Sequence, residues 1–229
     1  LKTVRERRQS HWYPIYRDVY EAIGYATEFQ QAMAEATLSM TSPAEGVKRY
    51  VSSWFKIDQL YRKFIYHMQK SGQASLLGSL FESVENRYTT NFLLTVNDAW
   101  QDQIAKMGDW SVPGYAKQTD FYRDQAAEYR RRDQKGVVII SDALRFEVAE
   151  ECQREIRKLP RYDAELKPMI STLPSYTQLG MAALLPNQDL ILSGDSAVSS
   201  FGEPTQGTAN RQKILGRGRA GDQAKAIKA

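Results

Sequence analysis

Apolar side chains recur at three- and four-residue steps through the first half of the chain, a period that predicts helices rather than strands. Tyr13, Tyr16, Val19, Tyr20, Ile23 and Phe29 fall on one helical stripe. The next helix has a legible start in Ser42-Pro43-Ala44-Glu45. Ser42 is the expected N-cap, Pro43 suits the first turn, and Glu45 three residues on would complete a capping box. Val47, Tyr50, Val51, Trp54, Leu60, Tyr61, Phe64 and Met68 form its expected buried face. Ser71-Gly72 should end it, because glycine accepts the left-handed turn after a helix. A third helix is expected over residues 74–106, with Leu80, Val84, Tyr88, Phe92, Val96, Trp100 and Ile104 along one side. Residues four apart drift slowly around a helix, so this row implies a long contact with a neighbour. Residues 109–114 break the pattern, and a last helix is expected over residues 119–133, leading to Gly136.

After Gly136 the texture changes. Val137-Val138-Ile139-Ile140 is short, wholly apolar and β-branched, as expected of a strand covered on both faces of a parallel sheet. A helix should follow over residues 146–159, then a second strand over 166–170, which Pro168 restricts to an edge or a short stretch. Residues 174–185 read as another helix, and Leu190 to Asp195 as a strand entering a hairpin. Strand alternating with helix is the signature of an α/β domain. The fold class is therefore an α-helical N-terminal region followed by the start of an α/β domain. The tail from Gly216 to Gly221 is rich in glycine and arginine and is expected to be flexible.

Composition narrows this further. The chain has 229 residues, 42% hydrophobic and 25% charged, which suits one or two domains with proper cores. No apolar run approaches the roughly 18 residues needed to cross a bilayer, and no export signal opens the chain, so no membrane association is expected. The single cysteine, Cys152, cannot form an internal disulfide, in keeping with a reducing, cytoplasmic setting. The chain opens on Leu1 and closes on Ala-Ile-Lys-Ala, so it is expected to be a truncated, internal piece of a longer protein. A net charge of +4 and a pI near 9.0 are compatible with an acidic partner such as nucleic acid. The positive residues cluster at Arg5, Arg7 and Arg8, at Arg130 to Arg132, and at Arg217 and Arg219. Such runs are usually solvated helix faces. Basic and acidic residues are interspersed and no recognition-helix pattern is visible, so a plain DNA-binding helical module has little support.

In open parallel sheets, ligands collect at the carboxyl ends of strands. Two polar clusters stand at such places. In Ser141-Asp142-Ala143-Leu144-Arg145, the Asp142 carboxylate can serve as a hard oxygen ligand to a metal ion, or can cap the following helix. In Ser171-Thr172-Leu173-Pro174-Ser175-Tyr176-Thr177-Gln178, a hydroxyl ahead of a helix start can act as a nucleophile on a phosphoryl group. The alternative there is an ordinary cap made by Ser175 or Thr172.

The runs at residues 138–151 and 171–186 resemble the two opening motifs of PglZ proteins, long and in the right order. Lys56-Ile57-Asp58-Gln59 and Val84-Glu85-Asn86-Arg87-Tyr88 resemble the region that precedes that domain. The resemblance implies an alkaline-phosphatase-like domain, mainly a parallel sheet, begun but not completed within residues 117–229, with residues 1–116 as the preceding helical region. It implies a phage-defence (BREX) protein and a phosphatase or phosphodiesterase site built on two metal ions, commonly zinc. Carried over by position, Asp142 becomes the first metal ligand. Thr172 becomes the nucleophile bridged to metal, because the Thr-Phe-Pro-Asn stretch of related phosphodiesterases matches residues 172–175. Thr177 is the second candidate, and Arg145 would orient the carboxylate or substrate. The remaining ligands are expected outside this chain. His11 and His67 both lie in the helical part and read as ordinary helix residues, and no histidine follows Asp142. By itself the chain is expected to hydrolyse nothing. The implied partners are other BREX proteins, including the DNA methyltransferase subunit, and DNA as a possible substrate. The competing reading is an assembly subunit that keeps a phosphatase-like fold for docking.

Overall fold

The structure, a computed structural model, describes residues 2–132, 134–194, 196–217 and 224–227, with the backbone alone at residues 3, 5 and 130. Two compact units form: Leu1–Trp110 with Arg145–Leu166, and Ser111–Leu144 with Lys167–Ala229.

The first unit is helical. Its elements are α1 (Lys2–Arg7), α2 (Tyr13–Glu35), α3 (Pro43–Arg49), α4 (Phe55–Ser71), α5 (Ala74–Asn86) and α6 (Thr95–Ile104). The chain passes through α7 (Ala127–Arg131) of the second unit before returning as α8 (Phe146–Arg157). The core is built where α2 lies against α4. Val19, Ala22, Ala26 and Phe29 meet Trp54, Ile57 and Phe64, closed by Val84, Tyr88 and Phe92. The expected α2 stripe is only partly the buried one. Val19 and Phe29 belong to it, but Tyr16 leaves helical geometry (φ −111°, ψ 25°) and is exposed. Its place in the core is taken by Ala22 and Ala26, whose small side chains let two helices approach closely.

Two π-helical turns interrupt the long helices: Tyr50–Trp54 joins α3 to α4, and Arg87–Leu94 joins α5 to α6. The second accounts for the four-residue row seen in the sequence. On an α-helix a step of four overshoots a turn by about 40°, which would fan Val84, Tyr88 and Phe92 around the axis. The wider π turn takes up that surplus, and all three stay buried.

Ser42 caps α3 as expected, its hydroxyl accepting from the Glu45 N–H at 3.2 Å. The capping box does not close on Ser42, however. The Glu45 carboxylate instead accepts from the N–H and hydroxyl of Thr41 at 2.7 and 2.5 Å, and from Arg49 at 2.7 Å. The Thr41 hydroxyl, then Arg49, then the Thr41 backbone hold the Glu45 carboxyl down to about 2, from an ordinary 4.5. A carboxyl depressed by folding contributes stability above its unfolded value and loses it as pH falls through the folded one. An NMR titration should therefore place the Glu45 midpoint near 2, with protection of the Thr41 amide fading between about pH 4.5 and 2. The same titration on Glu45→Gln should leave that amide insensitive to pH. At the far end of α4, Gly72 takes φ +64° and stops the helix, as the sequence predicts.

The second unit is mixed. β1 (Ala116–Lys117) pairs in parallel with β2 (Met169–Ile170), in the register Ala116↔Met169 and Lys117↔Ile170. A 3-10 turn (Gln118–Asp120) and a π turn (Tyr122–Ala126) precede α7. After β2 come α9 (Thr177–Ala183), β3 (Leu190–Leu192), β4 (Val198–Ser200), β5 (Glu203–Pro204) and α10 (Gly207–Gly216). β3, β4 and β5 form an antiparallel sheet in that order. Phe201 and Gly202, at φ 52° and 75°, make the tight hairpin between β4 and β5. Leu179, Ala182 and Val198 are its buried centre, with Tyr176 and Leu190 against them.

This corrects three expectations. Among the described residues parallel pairing is confined to β1 and β2, and the larger sheet is antiparallel. Residues 137–140 form no strand: Val137 and Ile139 are 87% and 88% exposed. β-branched character suits a pleated surface but cannot hold a strand without a ladder, and no strand among the described residues pairs with this one. The helix expected from residue 174 starts only at Thr177. Each basic run contributes an ion pair: Arg8 with Glu21, Arg132 with Glu128, Arg217 with Glu203. The side chains of Arg5 and Arg130, all of Asp133, Asp195 and Arg219, and the tail over residues 218–221 lie outside the described residues. No helix among the described residues is long and apolar enough to cross a membrane.

Candidate functional site

Within the second unit the two motif segments meet through their side chains. The Thr177 hydroxyl donates to the Asp142 carboxylate, 3.3 Å from one oxygen and 3.2 Å from the other. Asp142 also accepts the N–H of Ala143 at 3.0 Å, a local bond that fits the left-handed backbone of Ala143 (φ 54°). Both Asp142 and Thr177 are exposed, so the pair is open to solvent and to a ligand.

Neither residue serves as a helix cap. α8 begins after Arg145 and α9 after Tyr176, each in extended conformation without a side-chain capping bond. Ser175 and Thr172 do not cap α9 either, because the helix starts further along than its hydrophobic pattern suggests.

Thr172, the first candidate nucleophile, has a different partner. Its N–H and hydroxyl both point to Gln118 Oε1, at 3.2 and 3.5 Å. The other end of that amide, Nε2, donates to the Gly180 carbonyl in α9 at 3.3 Å. Asn187 Nδ2 reaches the carbonyls of Thr119, Ala183 and Leu185, tying the C-terminal end of α9 to the residue next to Gln118. Gln118 carries no signal in the sequence. It follows a strand too short to show an alternating pattern, and its partners, two backbone groups and a hydroxyl, are distant along the chain.

Arg145 lies in the helical unit at the N-cap of α8. Its charge acts on Asp58, whose carboxyl is pushed up by burial while hydrogen bonds from Tyr50 and Tyr88 push it back down. His67 sits in α4 with Nδ1 2.7 Å from Asp18. His11 stands in the turn before α2 rather than in a helix. Asp142 and Thr177 offer hard oxygen donors suited to a divalent cation. A two-metal site needs several more carboxylates or imidazoles. Among the described residues no group of three or more His, Cys, Asp or Glu side chains could hold a metal ion. The residues present fit one side of such a site, not the whole of it.

A family model described as the BREX system PglZ alkaline phosphatase-like domain matches residues 121–229, the stretch that contains Asp142, Thr172 and Thr177. The match is to the PglZ family and covers 109 of the 229 residues. The likeness extends through the helical unit. The alkaline phosphatase-like protein PglZ of Bacillus cereus (strain H3081.97) is 30% identical over 221 residues, covering 95% of this chain and 26% of the relative. The alkaline phosphatase-like protein BrxZ of Escherichia coli O9:H4 (strain HS) is 33% identical over 228 residues, covering 93% of this chain and 26% of the relative. The chain thus spans about a quarter of the length of the curated PglZ relatives it matches. No solved structure gives a significant match.

Proposed function

We propose that this chain supplies the opening part of a metal-dependent phosphohydrolase site in a BREX phage-defence protein. Residues 1–116 would be the helical region ahead of the catalytic domain, and residues 117–229 the first part of that domain. The observation that carries the reading is the pairing of the Thr177 hydroxyl with both oxygens of Asp142, two residues drawn from separate motifs. A carboxylate beside a hydroxyl suits a nucleophile that attacks phosphorus next to a bound cation. The cation, with zinc the leading choice, would be held by Asp142 and by ligands beyond those gathered here. When bound it would supply charge stabilisation for the attacking and leaving oxygens. Thr177 now ranks above Thr172 as the nucleophile, since its hydroxyl is the one that meets the carboxylate. The substrate class is a phosphomonoester or the phosphodiesters of nucleic acid. The partners would be other BREX proteins, the DNA methyltransferase subunit among them.

A second reading, a non-catalytic assembly subunit, is favoured by one observation. The apolar run at residues 137–140 is open to solvent, as a surface that awaits a partner would be. The deciding experiment measures zinc-dependent cleavage of an aryl phosphodiester and of plasmid DNA by the full-length protein and by Asp142→Ala. Metal-dependent turnover that disappears in a folded Asp142→Ala protein supports the enzyme. No turnover in the wild type, or turnover indifferent to the substitution, supports the subunit.

A further inference from the structure

Gln118 cross-links two segments of the second unit, and no part of the proposed chemistry uses it. The parallel register of β1 and β2 brings the residue after β1 alongside the loop that leaves β2. From there one side-chain amide spans the whole motif. Its oxygen takes the Thr172 N–H and hydroxyl at the loop's start, and its nitrogen donates to the Gly180 carbonyl inside α9. Thr177, the first residue of α9, lies between these two attachment points in sequence. Asn187 fastens the C-terminal end of α9 to Thr119, the neighbour of Gln118. α9 therefore cannot slide along its axis without breaking one bond at its middle, on Gly180, and another at its C-terminal end, on Ala183. A side-chain amide offers an acceptor and a donor on one rigid plane, and the two attachments use both at a glutamine's reach.

We infer that Gln118 is a positioning residue for the Thr177 hydroxyl, fixing where α9 begins relative to the Asp142 carboxylate. The inference rests on the reading of Thr177 as the nucleophile. A displacement of about 1 Å at a reacting group can cost about a hundredfold in rate. Without the clasp, the hydroxyl keeps its chemistry but loses its place.

The test uses the full-length protein, with zinc as the metal and an aryl phosphodiester as substrate. Gln118→Met, similar in length and without either hydrogen-bonding function, is expected to lower kcat by about ten- to a hundredfold. KM and zinc affinity should stay within about twofold. Gln118→Glu keeps the acceptor for Thr172 and loses the donor to Gly180, and should fall between. A structural role alone would not produce the next result. Adding Gln118→Met to Thr177→Ala should cause no further loss, because the group being positioned is already gone. Additive losses, or an unchanged kcat in a folded Gln118→Met protein, overturn the inference. If the wild type hydrolyses nothing, the phosphohydrolase reading falls, and hydrogen exchange over residues 171–176 decides the clasp separately. Faster exchange at the Thr172 amide in Gln118→Met upholds it, and unchanged exchange overturns it.

Discussion

Thr177→Ala in the full-length protein is expected to lower kcat for phosphoester hydrolysis by about a thousandfold or more, the scale on which removing a nucleophile acts. That corresponds to a loss of about 4 kcal/mol in transition-state stabilisation. Thr177→Ser keeps a hydroxyl at the same place and should retain activity within about tenfold. The contrast separates loss of the reacting atom from loss of packing, because alanine and serine differ from threonine in different ways. Thr172→Ala should cost far less. Its hydroxyl faces Gln118 at 3.5 Å, and the stronger link of that residue to Gln118 runs through its N–H, which alanine keeps. A Thr172→Ala protein without activity beside an active Thr177→Ala protein would restore the assignment that the Thr-Phe-Pro-Asn alignment implies. Steady-state kinetics on the folded variants, with circular dichroism as the check on folding, decides between the two.

The helical unit was far more legible in the sequence than the site. Helices announce themselves through periodicity and caps, both local properties. Ser42, Gly72 and the row from Leu80 to Trp100 could be placed because the groups that determine them lie within a few residues. Even there, what escaped was non-local. Ala22 and Ala26 look unremarkable as single residues and prove central because α4 lies against them. The strand reading failed at residues 137–140 for the same reason. β-branched composition is a local trait, whereas a strand exists only by pairing with a neighbour. α10 and the hairpin of β4 and β5 went unpredicted. α10 has no apolar stripe, and the hairpin turns on Phe201 at positive φ, a residue that ordinarily avoids that conformation. The site motifs were visible as unusual polar runs after apolar ones. Which hydroxyl meets Asp142 could not be read, because α9 starts at Thr177 and not at residue 174.

The second large effect concerns the acidic residues that follow Asp142 in its motif. Glu147, Glu150 and Glu151 bind α8 to α4. Glu147 is 1% exposed and accepts from Arg62 Nε at 2.9 and 3.1 Å, one to each carboxylate oxygen, and from Nη2 at 2.8 Å. Glu151 takes Arg62 and Lys63, each at 2.5 Å. Gln59 donates to the Glu147 carbonyl at 3.0 Å and to Glu150 at 3.1 Å. Hydrogen bonds to Glu147 raise the pKa of Arg62 well above its ordinary value, against the opposing effect of burial. Removing one partner of a buried pair strands the other, so Arg62→Ala should destabilise the helical unit by about 3 kcal/mol. That is the low end of the range for such breaks, because water reaches the guanidinium. Arg62→Leu combined with Glu147→Met should recover more than half of the loss, since the pair's attraction is largely spent on its own desolvation. Acid should act in the same place. Burial favours the protonated form of Glu151, but hydrogen bonds from Lys63 and Arg62 outweigh it and lower its pKa below 4.5. Its contribution is thus present above about pH 4.5 and lost as pH falls through the folded value, a sensitivity that Arg62→Ala should weaken. Urea unfolding of the 229-residue chain, followed by helical circular dichroism at pH 7 and pH 3, reads both effects. A single variant that unfolds at the wild-type midpoint would mean that α8 is held by Phe146, packed edge-on against Phe55 and Tyr50, and not by its charges.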